Sequence, residues 1–258
     1  MRIAVIGYGA IGRFLISQLN SEPEIETCAV LSLPRADICS KPVVDDIEGL
    51  LSARPDLVVE CAGHGALRTF GETVLRRGTD LLVVSVGALA DPELEAALRS
   101  ASSSGGGKLL IPGGALGGID ALSTAREAGL SSVEYTGRKA PAAWKGTAAE
   151  KIVQLDRVTE PHTIIDCEAR TAALIFPQNA NVVAAIALAG LGFDKTRVRL
   201  IVDPNAEGNL HSYVARGEFG EISTTIRSKT LEANPKTSVL APFSLVQTIK
   251  KRSGLIPA

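Results

Sequence analysis

The sequence predicts an α/β fold, a doubly wound parallel sheet followed by a second α+β domain with a mixed or antiparallel sheet. Three observations predict it. A glycine turn stands directly behind the first apolar run, in MRIAVIGYGAIG. Up to Ile111, short continuous apolar runs alternate with helix-like stretches, the pattern of parallel strands covered on both faces. Beyond Pro112 the runs alternate more strongly between apolar and polar, the pattern of half-buried strands joined by short turns.

The elements follow in order. Residues 3–6 form the first strand, Gly7, Gly9 and Gly12 the turn, and residues 13–19 the first helix. Strand, glycine turn and helix together make this a dinucleotide-binding signature of the Rossmann type. Gly7 permits the tight turn, Gly9 lets the backbone approach a pyrophosphate, and Gly12 lets helix pack on strand. With Ala10 and Ile11 they form a helix N-terminus whose free N–H groups and partial positive charge suit phosphates. Further strands fall at 26–32, 57–61, 81–85 and 108–111, with helices at 45–51 and 66–77. Another helix starts at Asp91, with Pro92 at its first position, and runs to about residue 102.

After Pro112, Gly113, Gly114, Gly117 and Gly118 frame a turn into a helix at 119–128. Strands are expected at 132–138, 163–170, 197–203, 211–217 and 220–228, with an apolar helix at 181–191. Residues 238–253 read as a closing helix whose apolar face packs back on the first domain. The expected division is therefore 1–111 with 238–258 for the dinucleotide, and 112–237 for substrate, catalysis and dimerisation.

The acidic residue that such sheets place after the second strand, to bind the ribose 2′-OH of NAD, has no counterpart in LSLPRAD. Ser32 and Arg35 occupy the turn and Asp37 lies further along. Arg35 suits a 2′-phosphate through charge-assisted bonds, or is a solvated surface arginine. The expectation is tolerance of NADP, with NAD as well.

Composition narrows the partners. The net charge is −1 and no long charged run occurs, which argues against nucleic acid or an anionic membrane surface. Aromatics are 4%, too few for a base-stacking surface. No apolar stretch is long enough to span a bilayer. The chain enters a strand at once, without signal-peptide character, so a cytoplasmic protein is expected. Cys28, Cys39, Cys61 and Cys167 form no C-x-x-C pair or zinc spacing, and no metal is expected.

Four strings in the second half carry a resemblance: PGGALGGIDAL at 112–122, TGRKAPAAWKGTAAE at 136–150, FPQNANVVAAIALAGLG at 176–192 and DPNAEGNLHSY at 203–213. With the amino-terminal glycine turn they resemble the L-aspartate dehydrogenase family, in the same order and over essentially the whole chain. The resemblance implies NAD- or NADP-dependent oxidative deamination of L-aspartate, giving iminoaspartate and then oxaloacetate and ammonia. It also implies a homodimer and a supply of iminoaspartate to NAD biosynthesis. By position it implies a catalytic histidine at His211 and cofactor contacts at Ala115 and Asn181.

Read for their own chemistry, these residues fit. Oxidising an amino acid and hydrolysing the imine need proton transfers near neutral pH, where histidine works. There are three histidines. His211 opens a strand; His64, in CAGHGAL, either lines the cofactor crevice or caps a helix; His162 follows Pro161 in a surface turn. The Asn181 amide suits a nicotinamide carboxamide or ribose, or caps its helix. Ala115 stands in the glycine-framed turn. A dicarboxylate substrate needs cations, and Arg138, Lys139 and Lys145 in GRKAPAAWKG are the candidates. Asp203 either orients His211 or serves the turn before Pro204. The alternatives are another reductase of the same plan, dihydrodipicolinate- or homoserine-type, or a dinucleotide sensor without turnover.

Overall fold

The computed structural model describes residues 1–32, 41–231 and 234–257. The chain divides into two compact units, Met1–Gly114 with Pro242–Ala258, and Ala115–Ala241.

In the first unit the elements run β1 (Arg2–Ile6), α1 (Ala10–Leu19), β2 (Glu26–Leu31), β3 (Val43–Val44), α2 (Ile47–Ser52), β4 (Leu57–Glu60), α3 (His64–Arg76), β5 (Asp80–Val83), α4 (Pro92–Gly105) and β6 (Leu109–Leu110). The six strands form one sheet in the order β3-β2-β1-β4-β5-β6, and every pairing is parallel. This is the doubly wound sheet the sequence predicts. Helices cover both faces, so Ile3, Ala4, Val5, Val58 and Val59 have no exposed surface at all. That double burial is why these strands read as unbroken apolar runs. The strand order reverses between β1 and β4, and ligands in such sheets bind outside the carboxyl ends at that switch point. Local caps set the helix starts: Asp91 accepts from the Glu93 N–H at 3.0 Å ahead of Pro92, and Asp46 accepts from the Gly49 N–H at 2.7 Å.

The second unit contains α5 (Ile119–Glu127), β7 (Leu130–Lys139), β8 (His162–Glu168), α6 (Ala169–Ile175), α7 (Ala180–Ala189), β9 (Thr196–Val202), β10 (Asn209–Gly217), β11 (Gly220–Ser228), β12 (Thr230–Leu231) and β13 (Asn234–Ser238). Five strands pair in the order β11-β10-β7-β9-β8; β7 and β9 are parallel and the rest antiparallel, a mixed sheet as expected. α5, α6 and α7 pack on one face. The other face carries ion pairs: Asp166 with Arg197 and Arg199, and Arg216 with Glu134 and Glu221. Alternation along β7 buries Val133, Tyr135, Gly137 and Lys139 and turns Glu134, Thr136 and Arg138 the other way.

Two expectations shift. The strand expected over 163–170 ends at Glu168, and the chain turns into α6, which buries Ala169, Ala172 and Ala173. The closing helix expected from Ser238 starts at Leu240 as α8 (Leu240–Arg252), because Ser238 closes β13 and its hydroxyl accepts from the Leu240 N–H at 3.2 Å. Leu245, Val246 and Ile249 of α8 join Ile3, Val5, Leu15 and Leu19 in the core of the first unit.

Candidate active site

Between β1 and α1 the backbone needs what only glycine gives. Gly7 has φ +99°, and a Cβ there would stand 2.7 Å from that of Ala62. A Cβ at Gly12 would stand 2.1 Å from the Gly7 carbonyl oxygen, so a side chain there would drive α1 off the turn. At Gly9, the N-cap of α1, a Cβ would meet nothing within 4 Å. The open side of the turn is therefore at Gly9, where the pyrophosphate of a dinucleotide needs bare backbone. Ala10 and Ile11 follow in the first helical turn, and no acidic residue in that turn competes with a phosphate.

A cleft of about 530 Å³ opens here, lined by Gly7, Tyr8 and Gly9 after β1, Leu31 and Ser32 at the end of β2, Cys61 and Ala62 after β4, and Ala66 and Phe70 on α3. These loops leave the carboxyl ends of β1, β2 and β4, beside the switch point. The shape, the bare backbone and the helix terminus fit a dinucleotide. Ser32, which is buried, stands where an acidic residue would select NAD. Arg35 lies outside the described residues. His64 opens α3 and is not among the cleft residues.

Glu60, the last residue of β4, shapes the same cleft and escapes a reading of the sequence. It is 1% exposed. One carboxylate oxygen accepts from the Ala62 and Gly63 N–H groups, both at 2.7 Å, and from the Ser85 hydroxyl at 3.1 Å. The other accepts from the Ser85 N–H at 3.0 Å. Burial pushes its pKa up against these hydrogen bonds, which pull it down. It ties the loop after β4 to the loop after β5. The signal for it was a carboxylate closing the buried run LVVE, which must find donors.

The second unit gathers a different set of groups. His211 lies on β10 directly across from Gly137 on β7. Its Nδ1 is 2.8 Å from the Tyr135 hydroxyl, and the two rings stack at 6.1 Å between centroids. Nε2 makes no hydrogen bond among the described residues. Burial, aided by the charge of Lys139, draws the His211 pKa down to about 4. The imidazole is therefore neutral at pH 7.

Lys139 shares the buried face with Tyr135 and Gly137 and is 8% exposed. Among the described residues its Nζ makes no hydrogen bond or ion pair; it stands 5.5 Å from the centre of the Trp144 ring. Burial brings its pKa down to about 8. Trp144 is fully buried; its Nε1–H donates to the Lys139 carbonyl at 3.1 Å and its ring meets Phe176 edge-on. An amine held in an apolar wall without a counter-ion is a site for an anion.

The other sequence candidates fall in several places. Ala115 is buried in the turn before α5. That turn lies over the His211 face: the Tyr213 hydroxyl donates to the Gly118 carbonyl at 2.7 Å, and a Cβ on Gly117 would be 3.5 Å from Ile226, the residue paired with His211 on β11. Asn181 is exposed in the first turn of α7, behind the buried Asn179. Arg138 points to the opposite face of the sheet from Lys139 and pairs with Asp203 at 3.6 Å. Lys145 is exposed and pairs with Asp156 at 3.2 Å. His162 is exposed at the start of β8. Among the described residues no cluster of histidine, cysteine and carboxylate side chains could hold a metal, and no helix is long and apolar enough to cross a membrane.

Comparison with known proteins agrees with this geometry. Residues 120–252 match the aspartate dehydrogenase C-terminal family, and residues 7–112 match the NAD-binding domain family of homoserine dehydrogenase. The L-aspartate dehydrogenase of Pseudomonas aeruginosa is 44% identical over 267 residues, covering 99% of each chain. That of Ralstonia nicotianae is 43% identical over 265 residues, again covering 99% of each. The crystal structure of aspartate dehydrogenase from Thermotoga maritima superposes with a TM-score of 0.81 over 100% of this chain and 99% of that one, at 23% identity, a likeness of fold. A glycine turn built for a dinucleotide and near-complete alignment with these enzymes lead to one conclusion: the chain belongs to the L-aspartate dehydrogenase family and is a nicotinamide-dinucleotide-dependent amino-acid dehydrogenase.

Proposed function

We propose that the protein oxidises L-aspartate to iminoaspartate with NAD or NADP, reversibly, and that water then converts iminoaspartate to oxaloacetate and ammonia. The observation that carries this reading is the buried Lys139 amine, without a counter-ion among the described residues, beside the neutral His211 imidazole, in a chain of which 99% aligns with an L-aspartate dehydrogenase. Lys139 receives a substrate carboxylate, which supplies the anionic partner that it lacks among the described residues. His211 meets the substrate through Nε2, which has no hydrogen bond among the described residues. The bound dinucleotide supplies the two-electron acceptor for the α-carbon. Gly7, Gly9, Ala10, Ile11 and Gly12 hold its pyrophosphate, and the family resemblance supports Ala115 and Asn181 as further cofactor residues. Of the three candidate cations, Lys139 is favoured because Arg138 and Lys145 already have carboxylate partners.

The absence of an acid at Ser32 supports use of both dinucleotides, with Arg35 as the group for a 2′-phosphate. The family resemblance supports a homodimer, a cytoplasmic enzyme and a supply of iminoaspartate to NAD biosynthesis.

The test is oxidation of NADH and NADPH by the purified protein with oxaloacetate and ammonia, with L-aspartate and L-homoserine oxidation measured in the other direction. Ammonia-dependent turnover and a preference for L-aspartate are expected. His211→Ala should lower kcat by roughly 10²–10⁴, the usual worth of a proton-handling side chain, and leave dinucleotide affinity near that of the native protein. Tight dinucleotide binding without turnover on any amino acid would replace this reading with that of a sensor.

A further inference from the structure

We infer that Tyr135 locks His211 into a single tautomer, with its proton on Nε2, and that Gly137 leaves the room this requires. This rests on the proposal that His211 faces the substrate. It adds which nitrogen carries the proton, and what kind of group His211 therefore is.

The inference comes from counting donors. The Tyr135 hydroxyl is buried in a residue 1% exposed, and its one hydrogen-bond partner among the described residues is His211 Nδ1 at 2.8 Å. A buried O–H without an acceptor is costly, so the phenol donates. Burial also raises the Tyr135 pKa, so the phenol keeps its proton. Nδ1 must then accept, which leaves the imidazole proton on Nε2. Protonating Nδ1 would make the phenol oxygen its acceptor and leave the Tyr135 O–H without an acceptor among the described residues.

The geometry is specific. Tyr135 lies across from Tyr213, and His211 across from Gly137, so the Tyr135–His211 contact is diagonal. A Cβ on Gly137 would sit 2.6 Å from the Tyr135 hydroxyl and 3.0 Å from Leu200. Any side chain at this position therefore displaces the tyrosine from His211. Among the described residues the ionisable neighbours are Lys139 and Tyr213, with the Asp120 charge acting on Tyr213; at pH 7 the Lys139 ammonium has no lone pair to accept the Tyr135 proton, and the Tyr213 hydroxyl is engaged with Gly118.

His211 is consequently a neutral hydrogen-bond donor and not an imidazolium. When ammonia adds to C2 of the 2-oxo acid, the C–N bond forms and the carbonyl π pair moves onto oxygen. Nε2–H is placed to bind that oxygen as its charge grows, and the reverse step passes through the same contact.

The test is ¹⁵N NMR of histidine-labelled protein, with His211 identified by loss of its signals in His211→Ala. The native protein should show Nε2 as the protonated nitrogen and Nδ1 as the bare one, unchanged over roughly pH 5.5 to 8, where free histidine titrates. Tyr135→Phe should turn the single tautomer into a mixture and lower kcat about tenfold with little change in KM. Gly137→Ala should do the same with the tyrosine still present. A proton found on Nδ1 in the native protein overturns the inference, as does an unaltered tautomer and kcat in Tyr135→Phe. The NMR readout needs no turnover, so failure of the L-aspartate assay would strike the proposed function and leave the tautomer to be judged by its own signal.

Discussion

Lys139→Met should make the protein more stable and a worse enzyme. Methionine is unbranched and close to lysine in length, so it can fill the slot against Trp144 without the charge. The Lys139 pKa falls from 10.5 to about 8 on folding. Between those values the unfolded chain holds the proton more tightly than the folded one. Stability due to this group therefore rises from about pH 8 to about pH 10.5, and below pH 8 the folded state bears the whole penalty. At about 1.4 kcal/mol per pH unit that penalty is about 3 kcal/mol. Losing the amine from the Trp144 ring, at 5.5 Å, offsets about 1 kcal/mol of it. The net gain of about 2 kcal/mol corresponds to a rise in Tm of roughly 4–8 °C for a chain of this size.

Scanning calorimetry of the two proteins at about pH 7 and again at about pH 10.5 reads this directly. The Met variant should melt higher at pH 7, and its advantage should shrink or vanish at the higher pH, where the native amine is neutral. In the oxidation assay KM for L-aspartate should rise roughly 10- to 100-fold, the worth of a charge-assisted bond to a carboxylate. A Met variant that melts lower at pH 7, by a margin indifferent to pH, would refute the reasoning: Lys139 would then be a satisfied structural residue and not a waiting cation.

Gly12→Ala should weaken dinucleotide affinity at least 100-fold by titration calorimetry, about 3 kcal/mol, because the added methyl would stand 2.1 Å from the Gly7 carbonyl oxygen. Fluorescence of Trp144, the sole tryptophan and a residue of the second unit, should stay native; normal binding would show that α1 has more freedom than the turn implies. Glu60→Gln puts an NH₂ where one carboxylate oxygen accepts N–H groups, and should cost about 2–3 kcal/mol of stability and loosen dinucleotide binding. An unchanged melting temperature would mean that the loops after β4 and β5 hold their shape without it.

What the sequence displays depends on how local the cause is. Gly7, Gly9 and Gly12 act within one turn, so their spacing alone carries the message. The strands of the first sheet announce themselves because both faces are buried, whereas Val43–Val44 is too short to show any period. The face that carries His211 is legible only in part. Alternation along EYTGRK places Tyr135, Gly137 and Lys139 on one side and Arg138 on the other, but nothing within the string says which side is buried. That is settled by the register against β10, where Tyr135 meets a histidine 76 residues away. Nothing in the string foretells Trp144 folding back over Lys139. Ranked by residue type, Arg138 is the better carboxylate ligand, since its guanidinium offers a planar fork and lysine only a point charge. The fold reverses that ranking. It gives Arg138 a carboxylate of its own in Asp203 and leaves Lys139 buried without one among the described residues, so the weaker ligand by type becomes the stronger candidate by position.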